Sequence, residues 1–518
     1  MKKLLSVLTA LSLGITMLTG CGSTSSGGSN TATGEQTGGA EPTKVVFAMK
    51  SFNVIPDSAN TERVQQYFND YVAENYPDAN VAIEWKLFGP ADYDQKINLM
   101  MQSGEQLDLF IPANIATSLA NNQLAPITDA LANYGQGLEA IIKEYCGENA
   151  FEAVTQNGEI MAIPANKNMC LTPLLQYDTE MLAATGYTAD DITDLESLTP
   201  IFAKLKELYP DVYPFVSTDL KNKNLPYYFY AEKEIDPLGN DYGVIMGDSG
   251  EIVNLFATEE YRDLCYLMKE WYDNGYMPAD MATGTMTGTE YMMAGRGFCT
   301  YASYGSKNDY TEFATMLTTR FGRDIGVKAI ADSYLTTDFA SATLGIPSTS
   351  KCVDAAIKLL DIIYTDEFAY NILLWGMEGT DYVKVTENTV NYPEGLTADT
   401  VPYCAYMTMG EFGTEAYCWN LEQGTSEEAK AANREYAKTV NLNANLSPYY
   451  GFRFDGSGVK NELTALNNVY EQYAYPLMCG SVDVDSTLEE FNKALEAAGL
   501  QTVMDAKREQ LDAWLASK

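Results

Sequence analysis

The sequence predicts a two-lobed α/β body, and three observations support this prediction. The first hundred residues after residue 43 alternate between strand-like and helix-like patterns. The stretch from Lys44 to Lys518 is too long for a single hydrophobic core. The composition, with 46% hydrophobic and 20% charged residues, is typical of a globular protein.

The strand and helix patterns at the start of this body predict a parallel sheet. Lys44–Met49 is predicted to be a buried strand, Asn60–Tyr76 has apolar residues at helical spacing, and Asn80–Phe88 alternates like a strand. A helix over Ala91–Met101 and an apolar strand over Leu107–Pro112 follow. This order predicts a parallel sheet with helices on both faces. Such sheets bind ligands beyond the carboxyl ends of their strands.

The rest of the chain is predicted to be rich in helices, with no repeat of fixed period. A strand is expected over 297–301. Amphipathic spacing predicts helices over 197–209, 258–276, 351–364, 365–375, 425–440, 461–473, 486–498 and 500–515.

The N-terminus has the pattern of an export signal. Lys2 and Lys3 precede a short apolar run, and Leu18-Thr19-Gly20-Cys21 resembles the lipobox of bacterial lipoproteins. Residues 1–20 are therefore predicted to be a lipoprotein signal peptide and Cys21 to carry the lipid. The alternative is an ordinary signal peptide with an incidental cysteine.

A polar linker follows the predicted lipid anchor. Residues 21–43 comprise Cys21 and a run of mostly small and polar residues that cannot bury enough surface to fold. No later segment is apolar enough to cross a membrane. We therefore expect a soluble body held at the extracellular face of the cell membrane by its lipid anchor.

The charge of the chain excludes several classes of partner. The 33 basic and 71 acidic residues give a net charge of −38. A negative field of this size repels nucleic acid, anionic lipid and phosphorylated ligands. No nucleic-acid partner is therefore expected.

The chain has no histidine, which excludes histidine-dependent catalysis and His-ligated zinc. Eight cysteines besides Cys21 include no C-x-x-C pair, and we expect mostly free, buried thiols. The run from Asp483 to Glu489 departs from a calcium loop and predicts a helix capped by Ser486. No metal or cofactor is predicted.

Several motifs, in their order along the chain, resemble one family. They are GEQLDLF (104–110), WYDNGYMPAD (271–280), YMMAGRGFC (291–299), LGIPSTSKCVDAAIKLLDIIYTDE (344–367), LLWGMEGTDYVKV (373–385) and the C-terminal run from GFRFDGSGVKNE to KREQLDAWL. Together they resemble family 1 of the extracellular solute-binding proteins, in its large lipoprotein branch with a C-terminal domain of unknown function. These proteins are the receptors of ABC importers for sugars.

The resemblance implies a type II periplasmic-binding-protein-like fold. Each of its two lobes would contain a mostly parallel sheet flanked by helices, and the ligand would bind in the cleft between them. The lobes would close by hinge bending and dock on an ABC permease. The expected N-terminal lobe is 44–163 plus about 340–385, and the expected C-terminal lobe is about 164–339 plus 386–518.

Eight residues are candidates for ligand binding. A sugar needs flat apolar faces for its ring and polar groups for its hydroxyls. Phe52, Asn114, Asn166, Lys167 and Tyr304 follow predicted strands, whereas Trp375, Trp419 and Arg453 lie in loop-like stretches. Asn114, Trp375 and Arg453 are the preferred candidates among them.

Four functions remain open at this point. The first is a carbohydrate receptor of an ABC importer, with an oligosaccharide as the expected ligand. The second is a peptide or amino-acid receptor, which Lys167 and Arg453 would suit. The third is a surface glycosidase using Glu378 and Asp381, although a structural turn is the favoured interpretation of that motif. The fourth is a structural surface lipoprotein.

Overall fold

The computed structural model describes residues 41–167, 169–170, 172–216, 224–281, 286–303, 310–335, 344–422 and 427–517. The predicted signal peptide, Cys21 and Tyr304 lie outside these residues. No helix in the described ranges is both long enough and apolar enough to span a bilayer.

Ten of the helices were predicted from the periodicity of the sequence, and their ends lie within about five residues of the predicted ones. The helices are α1 (Ser58–Asn75), α2 (Tyr93–Ser103), α3 (Ile115–Ala120), α4 (Thr128–Tyr134), α5 (Gln136–Cys146), α6 (Thr179–Thr185), α7 (Leu198–Leu208), α8 (Asn224–Glu232), α9 (Glu259–Asp273), α10 (Gly288–Met293), α11 (Thr311–Phe321), α12 (Val353–Thr365), α13 (Glu367–Trp375), α14 (Glu427–Asn443), α15 (Lys460–Met478), α16 (Val484–Ala497) and α17 (Leu500–Ser517). Of these, α3, α4, α5, α6, α8, α10 and α11 were not predicted.

The strands are mostly short. They are β1 (Thr43–Lys50), β2 (Val81–Phe88), β3 (Thr155–Gln156), β4 (Glu159–Ile160), β5 (Ala162–Ile163), β6 (Pro173–Asp178), β7 (Tyr213–Phe215), β8 (Ile235–Asp236), β9 (Ile245–Met246), β10 (Gly297–Ser303), β11 (Ile325–Ala329), β12 (Tyr334–Leu335), β13 (Leu344–Gly345), β14 (Val383–Thr386), β15 (Thr389–Asn391), β16 (Asn420–Leu421) and β17 (Asn445–Leu446).

The first sheet is built on β1 and β2, which pair in parallel over their full length. A parallel bridge from Phe47 to Leu109 and an antiparallel bridge from Phe110 to Gly345 extend it to β13, which pairs with β5. The side chains of β1 from Val45 to Met49 are all buried, as expected for a strand covered by helices on both faces.

Helix α1 covers the outer edge of this sheet. Asp57 caps the helix by accepting a hydrogen bond from Asn60 N at 2.8 Å. On the inner face, Asn69 Oδ1 accepts from Ile83 N at 2.7 Å and Gln65 Oε1 accepts from Trp85 N at 2.9 Å. These side chains replace the missing neighbour of β2, so part of this edge strand is protected from pairing with another chain.

The second sheet has the strand order β11-β6-β10-β7 and is mixed. Strands β10 and β7 are parallel, whereas β6 is antiparallel to both β10 and β11. The expectation of a mostly parallel sheet is therefore wrong for this sheet. Strand β6 begins at the first crossing and runs away from it. Strands β10 and β11, which flank β6, run in the opposite direction and end beside its first residues.

The buried side chains form two large cores in the described residues. The first includes buried residues between 45 and 170 and again between 344 and 450, and the second those between 175 and 330 and between 459 and 503. The chain crosses between them at three places, which are 170–175, 330–344 and 450–459. We propose that the lobes follow these cores, which moves 386–450 from the expected C-terminal lobe to the N-terminal one.

The C-terminal helices belong to the second core. Buried side chains of α15, α16 and α17 include Leu466, Phe491 and Val503, which pack with residues from 175–330. The cap of α16 is Asp483, whose Oδ1 accepts hydrogen bonds from both Ser486 N and Ser486 Oγ. The prediction that Ser486 caps this helix is wrong, because its hydroxyl serves as a donor one turn inside the helix.

Candidate functional site at the strand ends

In both sheets, the edge where strands have their carboxyl ends lies beside the three crossings. In the first sheet β1, the 109–110 segment and β5 run in one direction, and β5 leads into the first crossing. In the second sheet β7, β10 and β11 all end at the edge where β6 begins, and β6 begins just after that crossing. Carboxyl ends of strands from both cores therefore lie beside the crossings, where sheets of this kind bind ligands.

Exposed apolar side chains lie at the carboxyl end of β1. Phe52 is 51% exposed and Met407 is 53% exposed. Asn53 connects the two segments, because its Oδ1 accepts a hydrogen bond from Met407 N at 2.8 Å. The surface formed by Phe52, Val54 and Met407 can contact the apolar face of a ligand.

A half-buried ion pair lies just beyond the carboxyl end of β5. Lys167 Nζ is 2.7 Å from Glu411 Oε1, and both side chains are partly exposed. The loop of Glu411 passes close to Lys167, since a Cβ on Gly410 would lie 2.8 Å from the Cβ of Lys167. Residue 410 has a φ of +76°, so only glycine suits this position sterically and conformationally.

Tyr93 holds the ends of two strands together. Its hydroxyl donates to Ala48 O at 3.1 Å and accepts from Ile111 N at 2.8 Å. Lys50 Nζ lies 5.3 Å from the centre of its ring. Burial raises the pKa of Tyr93 well above its ordinary value, so the phenol stays neutral and keeps donating.

Comparison with known proteins places this geometry in context. The chain matches a domain of unknown function, DUF3502, over residues 448–516. It is 25% identical over 469 residues to a carbohydrate ABC transporter substrate-binding protein of Streptococcus pneumoniae, covering 87% of this chain and 89% of that protein.

Solved structures show the same architecture. The crystal structure of the N-glycan transport solute binding protein NgtS from Streptococcus pneumoniae has a TM-score of 0.72 at 22% identity, covering 92% of this chain and 99% of that one. NgtS in complex with Man5GlcNAc gives 0.59 at 22% identity, with the same coverage. An extracellular solute-binding protein from Bifidobacterium longum subsp. infantis gives 0.61 at 14% identity, covering 91% and 98%.

The chain has the two-lobed fold of the extracellular solute-binding proteins. The fold class predicted from the sequence and the resemblance to this family are both confirmed. Ligands of α/β sheets bind beyond the carboxyl ends of the strands, so the region beside the three crossings is the candidate cleft, and it is called the cleft below. The predicted site residues can now be placed relative to that cleft.

Asn166 lies beside the cleft but is buried. Its Nδ2 donates to Thr414 Oγ1 at 3.2 Å, and its carbonyl accepts from Glu415 N at 3.2 Å. These contacts fix the loop that carries Met407 and Glu411 against the end of β5. Phe52 and Lys167 are the predicted residues that this edge presents to solvent, and a role for all three in binding stays a prediction.

Asn114 follows the 107–112 segment and caps α3. Its Oδ1 accepts a hydrogen bond from Thr117 N at 2.8 Å. It also lines a cavity of about 180 Å³ together with Asn98, Ser118 and Gln123. The capping role accounts for an asparagine here, and its role in binding stays a prediction.

The two tryptophans are core residues in this structure. Trp375 is 0% exposed, packs on Tyr406 with the ring centres 4.5 Å apart, and donates from Nε1 to Trp419 O at 3.2 Å. Trp419 is also buried and donates from Nε1 to Glu367 Oε1 at 2.7 Å. Burial argues against direct ligand contact by Trp375, because neither face of its ring reaches solvent.

Arg453 lies in the third crossing. Its Nε donates to Ala153 O, which connects this crossing to the turn before β3. The structure thus places Arg453 among the connections of the hinge. Tyr304, which directly follows β10, lies outside the described residues.

The acidic motif around Asp381 is a structural turn. Asp381 is buried, and its two carboxylate oxygens accept from Arg63 at 2.7 and 2.8 Å, one of them also from Met377 N. A carboxylate held by three donors is a poor nucleophile or proton carrier, so this pair is not arranged for glycoside hydrolysis.

The structure shows no metal site and no disulfide within the ranges it describes. No group of three or more acidic or thiol side chains there could hold a metal ion. The eight cysteines after the linker are thiols in this structure, and burial raises the pKa of Cys146 to about 12 and that of Cys170 to about 11. These thiols are therefore protonated and unreactive near neutral pH.

A larger cavity has none of the predicted residues in its wall. It measures about 710 Å³ and is bounded by the exposed edge of β2, α1 and α2, with Ile55, Leu99 and Glu84 in its wall. It is open to solvent and extends along β2 to Phe88, the last residue of that strand.

Sequence analysis missed Asn53, Met407 and Glu411. The loop that carries the last two is more than 230 residues from β5 and about 350 from β1 in the chain. No pattern in the sequence connects these segments. The exposed methionine in MTMGEFGT was the only available signal, and it is a weak one.

Proposed function

We propose that this protein is a lipid-anchored, extracellular solute-binding protein of an ABC importer. It captures a carbohydrate, with an oligosaccharide as the expected ligand, and delivers it to a membrane permease. The observation that carries the proposal is the apposition of strand ends from two cores beside three crossings, with Phe52, Met407 and the Lys167–Glu411 pair at the edge.

The chemistry of this edge suits a sugar. The exposed faces of Phe52 and Met407 match the C–H faces of a pyranose ring. The partly exposed Lys167 and Glu411 can donate to and accept from ring hydroxyls while neutralising each other's charge. A net-neutral pair suits a polar, uncharged ligand better than an isolated ion would.

The comparisons support the same conclusion. The relative named a carbohydrate ABC transporter substrate-binding protein matches 87% of this chain. The similarity to NgtS is greater for the structure described without a glycan than for its Man5GlcNAc complex, with TM-scores of 0.72 and 0.59. This difference is the one expected if the present structure is open and a glycan closes the lobes.

The first test is a ligand screen by thermal shift. The mature chain with Cys21→Ser, which keeps it in solution, is heated with oligosaccharides, monosaccharides, peptides and amino acids. A ligand present at 100 times its Kd stabilises the protein by about 2.7 kcal/mol. We expect the largest shift with one class of oligosaccharide.

Matched variants locate the site. Phe52→Ala should weaken binding of the hit about two- to tenfold, because a stacking contact is worth about 0.5–1.5 kcal/mol. Leu208→Ala, which removes an exposed apolar side chain at the end of α7, should leave the Kd unchanged.

Other outcomes decide between the alternatives. Shifts with peptides alone would replace the carbohydrate proposal with the peptide receptor. Turnover of chromogenic glycosides would establish the glycosidase instead. No shift with any compound would leave the solute-binding fold without support for a sugar ligand.

A further inference from the structure

A lysine ammonium lies fully buried near the C-terminus. Lys507, on α17, is 0% exposed. Its Nζ donates to three backbone carbonyls, those of Pro237 at 2.8 Å, Asn240 at 2.7 Å and Gly243 at 2.6 Å. All three N–H donors of the ammonium are therefore used, although lysine is almost never fully buried in proteins.

The three carbonyls come from one hairpin loop. Strands β8 and β9 pair antiparallel, and the loop between them has positive φ at Leu238, Gly239 and Gly243. A Cβ on Gly243 would lie 2.8 Å from Met504 Cγ, so glycine lets the loop lie directly against α17. This backbone turns several carbonyls towards one point.

Two buried carboxylates surround the same point. Asp236 accepts from Leu238 N at 2.8 Å and from Ser447, and Asp241 accepts from Tyr230. Burial is the largest effect on the pKa of Lys507 and outweighs the opposing effect of both carboxylates, so the pKa is lowered from 10.5 to about 7. The carbonyls oppose that decrease too, since only an ammonium donates three hydrogen bonds.

We propose that the hairpin loop 237–243 is a cation-binding site whose resident cation is the side chain of Lys507. Proteins bind K⁺ with backbone carbonyl oxygens that converge on the ion and replace its hydration shell. The radius of an ammonium ion is nearly the same as that of K⁺. The ligand class of the site is therefore a monovalent cation or a primary ammonium ion. This proposal is independent of the carbohydrate function.

The site connects the C-terminal helix to the second core. Leu511, one turn further along α17, packs with Leu238, Ile245 and Phe452 in a small apolar cluster. The loop is thus held to α17 by packing on one side and by the ammonium on the other. Lys507 lies within the DUF3502 match, so the proposal gives that region a specific structural task.

Thermal unfolding of substituted proteins tests the proposal. Lys507→Met keeps the stem and removes the charge, Lys507→Ala empties the site, and Lys493→Ala removes an exposed lysine of α16 as a control. We expect both Lys507 variants to melt several degrees below wild type, and the control to melt with it, because a buried cation site without its cation leaves unpaired carbonyls and carboxylates.

Added cations distinguish the site from ordinary packing. Ethylammonium or potassium chloride should raise the Tm of Lys507→Ala more than tetramethylammonium chloride at equal ionic strength, and should not do so for wild type. A wild-type Tm for Lys507→Met would overturn the proposal. An equal response of Lys507→Ala to all three salts would do so too.

A measurement on the wild-type chain covers the case in which the variants do not fold. Nitrogen-15 spectra of the lysine side chains at pH 6, below the pKa of about 7, should show one slowly exchanging ammonium that disappears in Lys507→Arg. Absence of such a protected ammonium from the wild-type spectra at pH 6 would mean that the three carbonyls do not hold Lys507 as a cation, and the proposal would be wrong.

Discussion

At the scale of single residues, Asp366 shows how one carboxylate can organise a helix start. Its Oδ1 accepts from Phe368 N at 2.8 Å and Ala369 N at 3.0 Å, which caps α13. Its Oδ2 accepts from the hydroxyls of Tyr71 and Tyr76, both at 2.7 Å. The cap thereby connects α13 to α1 and to the turn that follows α1.

This cluster predicts a loss of stability at alkaline pH. Burial and then the hydrogen bond to Asp366 raise the pKa of Tyr76 from 10.0 to about 12. Because the pKa of Tyr76 is higher in the folded state than in the unfolded state, the neutral phenol stabilises the folded state. This stabilisation is complete below pH 10 and is lost as the pH rises towards 12. Urea midpoints should therefore fall above pH 10, and less so for Tyr76→Phe than for wild type.

The control for this prediction is Tyr134→Phe, which changes an exposed tyrosine. Its alkaline profile should match that of wild type. If Tyr76→Phe were as sensitive as wild type between pH 10 and 12, the ionisation of Tyr76 would not contribute to the loss.

At the scale of elements, the last turn of α14 holds two of the crossings. Asn441 Oδ1 accepts from Met169 N at 2.9 Å, and its Nδ2 donates to Lys167 O at 2.8 Å. Two residues after α14, Asn445 N donates to Ser333 O at 2.9 Å, and Ser333 Oγ is 2.7 Å from Thr172 Oγ1. The end of this helix therefore contacts residues at two of the crossings, and we propose that it is the pivot of the hinge.

Asn441→Ala should weaken this pivot. The partly buried N–H of Met169 and C=O of Lys167 would lose their partner, at a cost of about 1 kcal/mol per hydrogen bond in the free energy of unfolding. We also expect the variant to change the equilibrium between open and closed lobes, measured as the radius of gyration with and without ligand.

Asn443→Ala, two residues later at an exposed position, is the matched control. It should retain both the stability and the scattering profile of wild type. A destabilised Asn441→Ala with an unchanged open–closed equilibrium would mean that Asn441 only stabilises the first lobe.

At the scale of the whole molecule, the proposed lipid anchor and the cleft would act together in delivering a ligand to a membrane permease. In the proposed function, an unfolded linker of about 20 polar residues would span roughly 25 Å between the lipid and the body. The net charge of −38 keeps the body away from anionic lipid. Capture near the surface and transfer to a permease both need this arrangement.

The proposed anchor depends on Cys21. Cys21→Ser should move the protein from the membrane fraction to the medium and abolish labelling with a fatty-acid analogue, because only the cysteine sulfur can carry the diacylglyceryl group. Cys352→Ser, which changes a thiol of the body, should leave both readouts unchanged. Membrane retention of Cys21→Ser would contradict the anchor.

The sequence alone determined most of the local structure. Helical spacing of apolar residues located α1, α9 and α12 to within a few residues, because burial of one helix face imposes a period of 3.6 residues. The buried run of β1 and the order of the first four elements were likewise readable, whereas the strand predicted over 107–112 forms only isolated bridges. Length and motif order were enough to predict the two-lobed fold class.

Tertiary structure alone decided how these elements were combined. The antiparallel direction of β6, the packing of 386–450 on the first core and the loop of Glu411 beside Lys167 all depend on contacts between segments far apart in the chain. Trp375 looks the same in sequence whether it is packed in a core or faces a cleft. Local periodicity predicts which face of an element is buried, but not which segment packs against that face. The residues beside the cleft could therefore be identified only from the tertiary structure.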